Sequence, residues 1–77
     1  MLTLYVIPDC PHCESARSKL LELGLSFIES DVTKDYKSLR AMYKLSRQKL
    51  VPVLALDKTF LVRPSMTEIR DLVRIDA

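Results

Sequence analysis

The chain has no tryptophan, one histidine, one glycine and two cysteines in 77 residues. With Gly24 as its sole glycine, few loops are expected to use left-handed backbone, and connections should be short. No Gly/Ser-rich linker divides the chain. No apolar run approaches the ~20 residues of a membrane-crossing helix, so no membrane role is expected. The opening Met1-Leu2-Thr3 carries no basic region, and the apolar run behind it stops at Pro8. No secretory signal is therefore read, and a cytoplasmic location is expected. In that compartment a cysteine pair serves catalysis or metal binding more often than it staples a fold. Zinc normally takes four ligands, and the single further soft ligand, His12, sits inside the loop between the cysteines, so no metal site is read.

What is present describes a globular domain. Hydrophobic residues make up 48% of the chain and charged residues 29%, which is ordinary for a folded chain and wrong for a disordered one. One domain spanning residues 1–77 is expected, with a thin core. The net charge of +2 is too mild to argue for nucleic acid. It is unevenly spread, because Lys34, Lys37, Arg40, Lys44, Arg47 and Lys49 face a single acid, Asp35, giving a local +5. The simplest reading is a solvated helix face, and a docking surface for an acidic partner, or for glutathione carboxylates, is the alternative. The stretch offers tyrosines but no base-stacking motif, so no nucleic-acid partner is expected.

The element order reads β-α-β-α-β-β-α. Leu2–Ile7 is a buried strand ended by Pro8. Pro11 opens a helix whose Ala16, Leu20, Leu21 and Leu23 fall on one side, and Gly24 closes it. Leu25–Val32 reads as a second strand. Asp35 caps a helix carrying Leu39, Met42 and Tyr43. Val51–Leu56 and Thr59–Val62 form a hairpin about Asp57-Lys58. Ser65-Met66-Thr67-Glu68 has capping-box form and precedes Ile69, Leu72 and Val73. Strands joined through a helix run parallel and a hairpin is antiparallel, so a mixed four-stranded sheet covered by three helices is expected, an α/β fold.

Cys10-Pro11-His12-Cys13 lies between the first strand and its helix, the context a dithiol motif requires. The reactive species is the thiolate, and a helix start favours an anion through its unpaired amides and dipole. Cys10 should therefore ionise below ~8.5. Cys10 is expected to be exposed and nucleophilic, with Cys13 shielded and resolving. Pro11 stiffens the turn. Protonated His12 would stabilise the thiolate, and Asp9 would oppose it. Val51-Pro52, with this motif upstream, reads as a cis bond beside the sulfurs, leaving the Val51 amide and carbonyl to pair with an extended peptide or glutathione. Tyr5 and Tyr43 are read as core residues.

Leu4-Tyr5, Cys10-Pro11-His12-Cys13, Asp31-Val32 and Val51-Pro52-Val53-Leu54-Ala55-Leu56-Asp57 resemble the glutaredoxin-like branch of the thioredoxin superfamily over nearly the whole chain. The resemblance implies a thioredoxin fold and a monomeric thiol–disulfide oxidoreductase with no permanently bound cofactor. It makes Cys10 the nucleophile, Cys13 the resolving cysteine and Pro52 the family's cis-proline. Val51 becomes the residue whose backbone pairs with glutathione as co-substrate, and Arg47 and Lys49 the cations for a glutathione carboxylate. Substrates would be protein disulfides or glutathione mixed disulfides, with glutathione or a thioredoxin-reductase-type donor supplying electrons. The chain departs from the family in having His12 where dithiol members carry tyrosine, and Val62-Arg63-Pro64-Ser65 where many carry a glycine pair. Two other readings stay open: a glutathione-assisted iron–sulfur carrier using Cys10, and a non-catalytic interaction domain.

Overall fold

The computed structural model describes residues 1–76. Its elements are β1 (Leu2–Val6), α1 (Pro11–Glu22), β2 (Phe27–Asp31), α2 (Tyr36–Ser46), β3 (Val53–Leu56), β4 (Thr59–Val62) and α3 (Met66–Asp76). The sheet order is β2-β1-β3-β4. β1 and β2 run parallel, and β3 is antiparallel to both β1 and β4. This is the expected thioredoxin fold.

Each boundary has a local cause. Pro11 occupies the first turn of α1, where its missing N–H costs nothing. Gly24, at φ 69°, ends that helix. Its N–H donates to the Leu21 carbonyl and the Leu25 N–H to the Leu20 carbonyl, both at 3.0 Å, the two bonds of a Schellman closure. Leu25 is thereby committed to the helix end, which is why β2 starts at Phe27 and not at Leu25. Asp35 caps α2, accepting from the Lys37 N–H at 3.0 Å and the Ser38 hydroxyl at 2.9 Å. Ser65 and Glu68 close a reciprocal capping box on α3, at 2.9 Å and 3.1 Å.

β1 alternates, burying Leu2, Leu4 and Val6 on one face. β3 is buried at all four positions, so both faces of this inner strand are covered. Met42 from α2 and Ile69 from α3 are fully enclosed in the same core as Leu4, Leu20 and Leu54. In α1 the inward stripe is Cys13, Ala16 and Leu20.

Several expectations need correcting. Leu21 is 63% exposed, because it lies about 100° around the helix from Leu20 and misses the Cys13–Ala16–Leu20 stripe. Tyr43 is 46% exposed, one position past buried Met42, while Tyr5 is half-buried against the core. Val51 and Pro52 precede β3 and do not open it, since proline has no N–H for the ladder. Left-handed backbone is used beyond glycine, at Asp9 (55°), Arg47 (58°), Asp57 (55°) and Arg63 (48°). Aspartate tolerates that region by local hydrogen bonding, but arginine has no such excuse.

Candidate active site

The site forms where the end of β1, the start of α1, the residues before β3 and the β4–α3 turn converge. Cys10 is the N-cap of α1, and its sulfur accepts the Cys13 backbone N–H at 3.2 Å. A thiolate there satisfies one of the amides that a helix start leaves unpaired. Cys10 is 8% exposed and Cys13 1%, and both are free thiols. Cys10 is thus less open than its place ahead of the helix suggests. As a cap its side chain folds back over the first turn and joins the core cluster. The ranking of the two cysteines is as expected, with Cys13 the more enclosed.

The two sulfurs differ in acidity. Burial works against the Cys10 anion. Hydrogen bonds from the Cys13 thiol and from the backbone N–H groups of Cys13 and His12, with the charge of Arg63, more than offset it and hold Cys10 below the usual thiol value. Cys13 is pushed up to about 11, first by burial and then by its hydrogen bond and charge interaction with Cys10. One thiol is primed and the other is held protonated.

The Val51–Pro52 bond is cis, as read from the sequence. The loop before it is held by polar groups that sequence reasoning passed over. Ser46, buried, donates to the Met42 carbonyl at 2.8 Å. Gln48 brackets Leu50, accepting its N–H at 2.6 Å and donating to its carbonyl at 3.2 Å. The Val51 backbone is not wholly open, in contrast to the expectation. Arg63 Nε donates to the Val51 carbonyl at 2.9 Å, and the Arg63 N–H donates to the Pro52 carbonyl at 3.0 Å. The second bond continues the β3–β4 ladder one residue beyond the Val53–Val62 pair. It turns the left-handed Arg63 back over the proline loop. The sequence signal was an arginine directly before Pro64, just past the end of β4.

The predicted cations divide. Lys49 borders a depression of about 540 Å³ that Ile7, Val32, Met42 and Val51 also line, next to the proline loop. Arg47 does not border it. As the C-cap of α2 it lies instead along a second depression, of about 880 Å³, on the helix's outer face. Pro11 and His12 are exposed at the helix start. Among the described residues no cluster of three or more His, Cys, Asp or Glu groups could hold a metal ion.

A pair of thiols with opposed acidities, set one helical turn apart on this scaffold, defines a thiol oxidoreductase of the thioredoxin fold. The family model for glutaredoxin matches residues 2–61, and the chain belongs to the glutaredoxin family. It is 32% identical over 73 residues to an uncharacterised glutaredoxin-like 8.6 kDa protein in the rubredoxin operon of Clostridium pasteurianum, covering 95% of this chain and 97% of that one. Solved structures share the fold, among them two redoxins. A glutaredoxin from Archaeoglobus fulgidus matches with TM-score 0.85 at 20% identity, over 95% of this chain and 85% of its own. The glutaredoxin-like NrdH-redoxin of Escherichia coli, described as having a thioredoxin-like activity profile, matches with TM-score 0.80 at 18% identity, over 92% of each chain.

Proposed function

We propose that this protein reduces disulfides by dithiol exchange, with Cys10 as nucleophile and Cys13 as resolving thiol. The opposed acidities of the two sulfurs carry the reading. The Cys10 thiolate attacks one sulfur of a substrate disulfide. A Cys10–substrate disulfide forms, the substrate's own S–S bond breaks, and its other sulfur leaves as a thiolate that takes up a proton. Cys13 then attacks Cys10 Sγ, losing its proton. A Cys10–Cys13 disulfide forms and the second substrate thiol is released. Two electrons have passed from the protein to the substrate, and a dithiol donor must return them.

The second step has a built-in trigger. Two of the causes that hold Cys13 protonated are its hydrogen bond to Cys10 and the Cys10 charge. Both vanish once Cys10 is bonded to substrate. Cys13 therefore becomes easier to ionise at the moment it is needed, and stays protonated before then.

A protein or peptide disulfide is favoured over a glutathione mixed disulfide as the substrate. Arg63 and Pro64 stand at the turn where the family resemblance implies a glycine pair, so side chains occupy space that glycine would leave open to glutathione. The donor on this reading is a thioredoxin-reductase-type enzyme rather than glutathione, in a cytoplasmic setting, with the protein acting as a monomer.

A single-turnover experiment tests the chemistry. Reduced protein mixed with a sub-stoichiometric peptide disulfide should lose two hydrogens by mass for each disulfide reduced, with the new bond mapped to Cys10–Cys13. Persistent adducts with substrate, and no internal disulfide, would contradict the two-step scheme.

A further inference from the structure

The outer face of α2 is an unneutralised cationic surface. Lys37, Arg40 and Lys44 are exposed along it, with Tyr36 71% and Tyr43 46% exposed between them. Arg40 stacks over the Tyr36 ring at 5.9 Å, and Lys49 over Tyr43 at 5.8 Å. The single acid of the segment, Asp35, is spent capping the helix. The described ion pair, Arg17 with Glu29, lies elsewhere, and none of these cations pairs with an acid among the described residues. The whole chain carries +2 and this segment +5, so the remaining residues sum to −3 and the molecule is strongly polarised.

The geometry leads from this face toward the thiols, since Ile7, whose backbone hydrogen-bonds Cys13, lines the nearer depression. The 880 Å³ depression on it is lined by Tyr36, Arg40, Tyr43, Lys44 and Lys49. Tyr36, Leu39 and Lys49 also line the 540 Å³ depression that reaches Val51 and Ile7. A segment lying in one continues into the other, toward the proline loop. α2 has 11 residues, about 16 Å of helix, which an extended segment of about five residues would cover.

We propose that the α2 face docks an acidic segment of the disulfide partner, its carboxylates meeting Lys37, Arg40 and Lys44 while its disulfide reaches Cys10. This rests on the dithiol reading and names the chemistry of its substrate. Carboxylates are the complement to these cations, and the tyrosine rings give the stem of the segment apolar footing. Nucleic acid is the competing polyanion, but it holds no disulfide for the adjoining thiols.

Two disulfide peptides that share a neutral cystine core test this, one carrying five flanking Asp/Glu residues and the other five Ser/Gln. At low salt the acidic peptide should be reduced with kcat/KM roughly tenfold above the neutral one. That preference should fade at about 1 M salt, where the screening length is about 3 Å. In the combined variant Lys37→Gln, Arg40→Gln, Lys44→Gln the preference should also be lost, with neutral-peptide turnover unchanged as the control for folding. Equal rates for the two peptides, or a preference that survives in the variant, would overturn the docking surface. So would inhibition by an oligothymidylate as strong as by an equal concentration of cysteine-free acidic peptide. No turnover of the neutral peptide would instead remove the dithiol reading itself, and the docking surface with it.

Discussion

Cys10→Ser abolishes disulfide reduction, with turnover expected to fall on the order of a thousandfold or more, because a hydroxyl at the helix start is not ionised near neutrality. The serine still caps α1, since its oxygen can accept the Cys13 N–H that the sulfur accepts now. Loss of activity in a chain of unchanged helix content therefore isolates the chemistry from the fold. Cys13→Ser gives the complementary result. The first step survives, no resolving thiol follows, and Cys10–substrate mixed disulfides accumulate. A serine hydroxyl at position 13 still donates to the Cys10 sulfur, so the thiolate keeps its side-chain donor in Cys13→Ser. Covalent adducts seen by mass spectrometry in Cys13→Ser and absent in Cys10→Ser check the assignment. Adducts forming on Cys13 in Cys10→Ser would reverse it.

Arg63→Met should raise the Cys10 pKa and slow its alkylation at pH 7 several-fold. The variant removes the guanidinium charge that helps lower Cys10 and also the 2.9 Å bond to the Val51 carbonyl. Arg63→Lys separates the two effects. It keeps the positive charge without a planar Nε–H for the carbonyl, so Cys10 acidity should be largely retained while KM for peptide disulfides changes. A merely structural role for Arg63 would shift neither the alkylation midpoint nor the split between KM and kcat. The Val51 carbonyl uncovered in Arg63→Met becomes an acceptor for the N–H of an extended substrate, so a lower KM for peptide substrates is the direction expected of that variant.

The fold was legible because its punctuation is local. Pro11, Gly24, Asp35 and the Ser65–Glu68 box each act on backbone within four residues, and each did what its chemistry requires. The dithiol was legible for the same reason, since two cysteines at that spacing in a strand-to-helix turn allow little else. What escaped depends on contacts between distant segments or on neighbouring stripes of one helix. Leu21 and Tyr43 sit one position past a buried residue, and helical spacing alone does not fix which side of the stripe the core takes. The Arg63–Val51 bond joins residues 12 apart through the β3–β4 hairpin and a left-handed turn that no glycine announces. The charge of Arg63 on Cys10 therefore came only from the folded chain. The helix start could be read directly, and the guanidinium could not.

The rate of Cys10 alkylation by iodoacetamide as a function of pH tests the account most directly, with the modified cysteine identified by peptide mapping at each pH. A depressed acid titrates early, so the Cys10 rate should reach its plateau below the usual thiol range and fall away as pH drops through its lowered pKa. Cys13, enclosed by burial and raised to about 11 while Cys10 is free, should react only after Cys10 at every pH. Two cysteines that titrate together at the ordinary thiol value, or a Cys13 that reacts ahead of Cys10, would contradict it.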